Sequence, residues 1–365
     1  MTSKEQLKAL IYCNKGLEDV CLNEIKEISK YNCELFSRIV VCDVSDVNDI
    51  CKLAMKSQTA NRVCLSLGTI SKDEGHFEFT EEFRKIIDGK SIAVRTYDSP
   101  EGSIDTPKLA KIICDEFDKN EIKYSVDLKN PNLFIQCFES DGNYFVGLDF
   151  SFDLNKRDYL IFSHNQALRP TIAYSLVKLS GFNGKGILLD PFCGGGTIVI
   201  EATLEVENGI HYHDFDKLEF NKFVKDVKYE EIHIKNDAKI VGYDVNLSTI
   251  TAARKNAKIA GINKDVDFSV VDCYFLDTKF ETKTVDYIVT HPPMLSKFAN
   301  EKKILKTWDD FLFISHDILK KKMVVILNRI EEFKEIAIGK YKFKLVEERE
   351  IYQGEMKMFV VVLEK

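Results

Sequence analysis

Three aspartates each close a short apolar run: Asp190 in GILLD, Asp244 in AKIVGYD and Asp272 in VDFSVVD. A fourth run, VDYIVT, closes on His291, Pro292, Pro293 and Met294. Apolar runs of this length bounded by turn residues predict strands, so one edge of a sheet is predicted to carry three carboxylates and one histidine. After Asp190 come Pro191, Phe192, Cys193 and three glycines, Gly194, Gly195 and Gly196, with Thr197 at the position of a helix N-cap. Glycines let backbone approach a ligand closely, and amides at a helix start favour a carboxylate or phosphate. A tight, capped strand-to-helix turn would explain the same residues, but three glycines behind an acidic strand end favour a nucleotide-like cofactor. The dinucleotide G-x-G-x-x-G pattern is absent, and the next acidic strand end, Asp244, follows 54 residues after Asp190 rather than about 20.

Asp244 is placed to accept from a ribose diol, and Asp272 from an exocyclic amino group. Any one of these acids is equally explained by exposure to water, whereas three on one edge point to a bound adenosine. The fourth ending differs in kind. Proline has no N–H, so His291, Pro292 and Pro293 offer acceptors. An acceptor-lined pocket suits a substrate amine. Holding both amine hydrogens turns a flat, weakly nucleophilic nitrogen toward a methyl donor, which is catalysis by positioning and electrostatics.

The elements that must position these residues follow from the rest of the pattern. From Gly186 onward short apolar runs alternate with helical stretches, predicting βαβ units and a mostly parallel, doubly wound α/β sheet. The last segment, YKFKLVEEREIYQGEMKMFVVVLEK, predicts a hairpin on one sheet edge. The first half is α+β: SIAVRTYD predicts a strand, DTPKLAKIICDEFDKN a helix opening at Thr106 and Pro107, and NLFIQCFESDGNYFVGLDF a hairpin turning at Asp141, Gly142 and Asn143. An irregular connector and a helix join the halves, and HYHDFDKLEFNKFVKDVKYEEIH predicts an inserted helical segment.

Composition sets the outer bounds. The chain has 365 residues, 45% of them hydrophobic, enough for two or three domains with proper cores. No apolar run approaches the roughly 18 residues that span a bilayer, and the first residues lack a signal-peptide core, so a cytoplasmic protein is expected. Ten cysteines without a C-x-x-C pair imply neither zinc nor a disulfide framework and read as buried thiols. His211 and His213 lack a third ligand at suitable spacing, so no metal is expected. The net charge of −7 argues against indiscriminate coating of nucleic acid. Residues 1–165 hold 21 Lys and Arg against 28 Asp and Glu, and residues 166–365 hold 30 of each, so the acidic excess is N-terminal.

DPFCGGGTIVIEA, GYDVN, VVDC and THPPM together resemble the S-adenosylmethionine-dependent N-methyltransferases of exocyclic amines. KRDYLIFSHNQALRPTIAYSLVKLSG before DPFCGGGTI, with NKGLEDVCLNEI, RTYDSPEGSIDTPKLAKIICDEF and VDLKNPNLFIQCF upstream, is similar to THUMP-domain tRNA guanine-N2-methyltransferases, and the LRPTIA helix most resembles the tRNA (guanine(6)-N2)-methyltransferases. The resemblance spans nearly the whole chain. It implies a ferredoxin-like domain at 1–65, a THUMP RNA-binding domain at 66–153, a linker and helix at 154–183, and a class I Rossmann-like methyltransferase domain at 184–365. It implies S-adenosylmethionine as cofactor, tRNA as partner, neither DNA nor membrane, and a monomer. Carried over by position, Asp190, Pro191, Phe192, Cys193, Gly194, Gly196 and Thr197 line the methionine end, Asp244 and Val245 the ribose, and Asp272 and Cys273 the adenine. His291, Pro292, Pro293 and Met294 form the catalytic motif. Near the connector, Lys156, Arg157 and Arg169 are placed to contact phosphates, and a solvated charge cluster explains each of them equally well.

The chain departs from that pattern at two places, with His291 where Asn or Asp is usual and Met294 where an aromatic stacks on the base. A neutral imidazole has one acceptor nitrogen and can do the work of Asn; it can serve as a general base; or the site has decayed to a strand-end histidine. Met294 can cover a base face but gives up stacking worth ~1–3 kcal/mol. Cys193 sits in the cofactor loop, away from the substrate strand, and reads as packing rather than as a nucleophile. The readings that compete with guanine N2 methylation are a catalytically impaired RNA-binding homologue, methylation of another RNA amino group, and methylation of a non-RNA amine.

Overall fold

The computed structural model describes residues 6–71, 74–97, 105–162, 167–207, 216–225, 227, 237–295 and 300–365. The chain divides into two compact units, residues 1–154 with 214–230, and residues 155–213 with 231–365.

The first unit holds β1 (Leu7–Tyr12), α1 (Glu18–Ile28), β2 (Cys33–Phe36), β3 (Ile39–Val44), α2 (Val47–Lys56), β4 (Arg62–Ser71), β5 (Glu74–Phe77), α3 (Glu81–Ile87), β6 (Lys90–Tyr97), α4 (Thr106–Lys119), β7 (Tyr124–Val126), β8 (Leu133–Ser140) and β9 (Asn143–Asp149). Among the described residues its strands form one sheet in the order β2-β3-β1-β4-β9-β8-β6-β7, with β5 on β4. The expected boundary between residues 65 and 66 falls inside β4, which pairs with β1 on one side and β9 on the other. Helix starts follow their caps. The Asp46 side chain accepts from the Asn48 and Asp49 amides, Thr80 from Phe83, and Asp105 from Lys108. The β8–β9 hairpin turns at Asp141 and Gly142, both with positive φ (51° and 78°), as a two-residue turn requires. Of the expected inserted helix, the described part is a 3-10 turn, Glu219–Lys222, whose Glu219 and Phe220 amides donate to the Ser151 and Phe150 carbonyls.

The second unit holds α5 (Pro170–Ser180), β10 (Lys185–Asp190), α6 (Thr197–Glu207), β11 (Asp237–Asp244), α7 (Leu247–Ile259), β12 (Val266–Val270), β13 (Val285–Thr290), α8 (Glu301–Ile318), β14 (Leu319–Leu327), α9 (Ile330–Lys334), β15 (Lys344–Gln353) and β16 (Met356–Glu364). The strand order is β12-β11-β10-β13-β14-β16-β15. The first five run parallel and the terminal hairpin pairs antiparallel with β14, as the alternating pattern predicts. From β10 the chain steps outward to β11 and β12, then returns to the other side of β10 as β13. This reversal leaves a crevice beyond the carboxyl ends of β10 and β13. One face of α8 seals the sheet: Trp308, Phe311, Leu312 and Ile318 are fully buried in a cluster with Ile288, Met323 and Val325.

Two expectations are corrected by burial and pairing. Cys33 and Cys42 are register partners in β2 and β3 with Cα atoms 4.1 Å apart, and they form a disulfide rather than remaining thiols. Arg157 is no phosphate contact. Its guanidinium is fully buried, with Nε 3.2 Å from the Glu201 carboxylate, which also accepts from the Tyr159 hydroxyl at 2.7 Å. No helix of the described residues is long and apolar enough to cross a membrane.

A buried pair contributes little net stability, but removing one partner strands the other charge. Arg157→Ala is therefore expected to lower the unfolding free energy by roughly 3–5 kcal/mol, read from urea denaturation. A loss below 1 kcal/mol would show that Glu201 is compensated elsewhere.

Candidate active site

At the carboxyl ends of β10, β11, β12 and β13 lies a cleft of about 1120 Å³. Its floor carries Asp190, Asp244 and Asp272; Phe192, Cys193, Gly194, Gly195 and Thr197 form one wall, and His291, Pro292 and Pro293 stand at the β13 end. Four strand endings separated by up to a hundred residues thus meet at the crevice that the strand order creates.

The glycine loop is held by the protein's own hydrogen bonds. Cys193 N–H donates to the Tyr243 carbonyl (2.8 Å), Gly194 N–H to Asp244 Oδ2 (3.2 Å), and Gly196 N–H to the Cys193 carbonyl (2.7 Å). The Gly194 and Gly196 amides are therefore already engaged, the former by a carboxylate from the next strand. Gly194 and Gly196 adopt φ of 50° and 85°. Gly196 is excluded from the cleft wall and serves packing: a Cβ there would lie 2.9 Å from the Phe268 ring and 3.1 Å from Ala253. Behind the loop, fully buried Asn256 donates to the Gly195 and Phe162 carbonyls (2.9 and 3.0 Å) and accepts from Phe162 N–H. Thr197 is the first residue of α6 rather than its cap. Burial raises the Cys193 thiol well above its ordinary value, which keeps it protonated and unreactive.

Asp190 spans the crevice. Its Oδ1 accepts from the Thr290 hydroxyl at 2.6 Å and from the Phe192 amide at 3.1 Å, so the end of β10 is fastened to the residue before His291. Burial pushes its carboxyl up to about 7, helped by the nearby Asp244 charge and opposed by the two hydrogen bonds. Asp244 Oδ1 accepts from Asn246 N–H (2.8 Å) and Asp272 Oδ1 from Tyr274 N–H (3.0 Å). Each carboxylate retains lone pairs for a ligand, since an ionised carboxylate has about four acceptor sites.

The turn after β13 is pinned from two elements. Trp308 Nε1 donates to the Pro293 carbonyl (3.0 Å), and Asn328 Nδ2 to the Leu295 carbonyl (2.7 Å). These bonds stiffen a segment that prolines deprive of its own donors. His291 is half-buried at the cleft. Met294 is 8% exposed and does not line the cleft, which corrects the expectation that it covers a base. Pro191 is buried outside the wall, and exposed Lys156 and Arg169 do not line it. The sequence reading missed Asn246, Thr249, Tyr274 and Phe275, and also Asn300, the N-cap of α8, and the α8 residues Lys303, Ile304, Lys306, Thr307 and Asp310. The helical spacing of Lys303, Lys306, Thr307 and Asp310 was a visible signal, but nothing in the pattern tied that face to the strand ends. His211 and His213 lie outside the described residues.

Comparison with known proteins places this geometry in a family. A family profile described as "UPF0020: RMKL-like, methyltransferase domain" matches residues 157–358. The tRNA (guanine(6)-N2)-methyltransferase of Methanocaldococcus jannaschii is 28% identical, the match covering 93% of this chain and 95% of that protein. Among solved structures, SMU.472 complexed with SAH superposes with a TM-score of 0.74 at 18% identity, covering 99% of this chain and 98% of that one. TrmN from Thermus thermophilus gives 0.70 at 19% identity over 98% and 99%.

The Asp190 shift has a measurable sign. The unfolded chain releases this proton near the ordinary value of 3.8 and the native state near 7, so the native state holds more protons in between, and stability falls as pH rises through that window. The stability of the wild type relative to Asp190→Asn is expected to drop by up to roughly 4 kcal/mol between pH 4 and 7, read from urea denaturation at stepped pH. A difference independent of pH would show that Asp190 is ionised throughout.

Proposed function

The chain belongs to the RMKL-like methyltransferase domain family, and on that premise we propose that it transfers a methyl group from S-adenosylmethionine to the N2 amine of a guanine in the acceptor stem of tRNA. The observation that carries the reading is the meeting in one cleft of three strand-end carboxylates, Asp190, Asp244 and Asp272, and a β13 ending at His291, Pro292 and Pro293 whose prolines bring carbonyls but no N–H. The full-length similarity to a tRNA (guanine(6)-N2)-methyltransferase supports tRNA as the substrate.

The residues present fit the cofactor. Asp244 and Asp272 are the strand-end acids a ribose diol and an adenine amino group need, and Val245 and Cys273 beside them offer apolar contact. Asp190 and the Phe192–Gly195 wall lie at the methionine end, where an ammonium group favours the ionised form of a carboxyl that burial otherwise raises. When bound, the cofactor supplies an electrophilic methyl group on a sulfonium. The protein's own part is positional. His291, through one imidazole nitrogen, and the Pro292 carbonyl accept the two hydrogens of the guanine amine and aim its lone pair along the cleft. Trp308 and Asn328 keep that turn rigid, and Thr290 keeps it in register with Asp190. The nitrogen would become cationic as the methyl carbon exchanged its bond to the cofactor's sulfur for one to nitrogen; the same two acceptors would stabilise that charge, and the surplus proton would pass to the His291 imidazole nitrogen that holds it. The base reaches the cleft by extrusion from the stem, because its amine is not open to in-line attack within a stacked helix.

In this reading residues 1–153 comprise the ferredoxin-like and THUMP parts that present tRNA and share strand β4, 154–183 is the linker and helix, and 184–365 is the catalytic domain, all acting as a cytoplasmic monomer.

Purified protein with labelled S-adenosylmethionine and unmodified tRNA transcripts is expected to yield labelled N2-methylguanosine on nucleoside digestion. Asp244→Ala should weaken cofactor binding by roughly 10- to 150-fold, the loss of a charge-assisted hydrogen bond of about 1.5–3 kcal/mol. His291→Ala should lower kcat by on the order of 10²–10³, while His291→Asn, which keeps an acceptor, should retain activity. Cofactor binding without methyl transfer would favour a non-catalytic RNA-binding role, and full activity of His291→Ala would remove His291 from the mechanism.

A further inference from the structure

A chain of net charge −7 has to receive a polyanion at a cleft floored by aspartates. The cleft solves this on α8. Lys303, Lys306 and Thr307 are spaced i, i+3 and i+4, so they share one face of the helix, and all three line the cleft. Both lysines are exposed, and neither forms an ion pair with a described residue. Two acids of the same helix are diverted: Glu301 pairs with Arg329 and Asp309 with Lys340. Asp310, one turn beyond Lys306, also lines the cleft. Among the described lining residues, Lys303 and Lys306 are the lysines, and no arginine joins them. Their place along the cleft is fixed by Trp308, two residues after Lys306, whose indole holds the Pro293 carbonyl. The lysine-bearing helix therefore adjoins the turn after β13, and it also packs against the 3-10 turn Cys273–Thr278 that follows Asp272.

We propose that Lys303 and Lys306 form a phosphate rail on α8, which seats the phosphodiesters flanking the nucleotide delivered to His291 and Pro292. The proposal rests on the reading of the chain as an RNA methyltransferase and names the contact by which RNA enters its site. Within one cleft the carboxylates attract a cationic cofactor and the lysines a polyanionic substrate. Both lysines act as point charges without base readout, so they position RNA and leave sequence choice to other contacts.

The test measures binding of a fluorescently labelled tRNA transcript across a salt series for the wild type, Lys303→Gln/Lys306→Gln, Lys303→Gln, and Lys302→Gln, an exposed neighbour outside the cleft wall. Calorimetric titration with S-adenosylhomocysteine on the same samples reports an intact cofactor site. The double variant is expected to lose about two units of the slope of log K against log salt, roughly one per lysine. Lys302→Gln should keep the wild-type slope, and S-adenosylhomocysteine affinity should be unchanged throughout. A wild-type slope in the double variant overturns the rail, as does an equal loss in Lys302→Gln and Lys303→Gln, which would mean a diffuse field. Weakened S-adenosylhomocysteine binding with an unchanged slope also overturns it, assigning the lysines to the cofactor's carboxylate. Wild-type protein that neither binds nor methylates tRNA overturns this proposal together with the functional reading, whereas methylation with an unaltered slope overturns the rail alone.

Discussion

The bond from Thr290 to Asp190 ties together two strands that the chain visits a hundred residues apart. Strand order alone brings the ends of β10 and β13 side by side at the reversal of the sheet, but adjacency does not fix the angle at which the two loops diverge. A buried carboxyl shared between the Thr290 hydroxyl and the Phe192 amide does. It sets the glycine loop and the His291-Pro292 ending in one frame, and the remainder of the cleft is built outward from it. The same burial that makes the bond strong makes the charged carboxyl costly, which is why the group titrates near neutrality.

Around that frame the protein uses its own hydrogen bonds to rigidify both sides of the cleft. Asp244 receives the Gly194 amide, Asn256 gathers the Gly195 and Phe162 carbonyls, and Trp308 and Asn328 hold the carbonyls beyond β13. Groups that look available in an isolated loop are thus mostly spoken for. Beside the lysine, hydroxyl and amide side chains that also line the cleft, the strand ends offer a reduced set: carboxylate lone pairs, an imidazole and a proline carbonyl. A site assembled from so few acceptors performs little chemistry of its own and gains its effect by holding two reactants in line.

Charge follows the same economy. Acidic residues outnumber basic ones in the chain, yet Glu301 and Asp309 of α8 pair with Arg329 and Lys340 outside the cleft wall, which leaves Asp310 as the α8 acid lining the cleft with Lys303 and Lys306. Local pairing decides the field at the cleft more than the total does, because interactions between exposed charges fade beyond a Debye length of about 8–10 Å.

The alternation of strand and helix, the terminal hairpin, the Asp141-Gly142 turn and the set of strand-end acids were all legible in the sequence. Each depends on residues adjacent in the chain: periodicity, turn residues and the absence of a proline N–H. The reading went astray where a side chain's neighbours come from elsewhere in the chain. Arg157 reads as a free cation until Glu201 meets it in the interior; Met294 reads as a base cover until the turn buries it; Gly196 reads as a ligand contact until Phe268 and Ala253 occupy the space behind it. Cys33 and Cys42 are nine residues apart and become partners only through the β2–β3 register. Likewise Lys303 and Lys306 gain a role only because α8 is packed against the turn after β13. Backbone chemistry is a local property and can be read from the sequence; burial and the direction of a side chain are properties of packing, and the tertiary structure alone decided them.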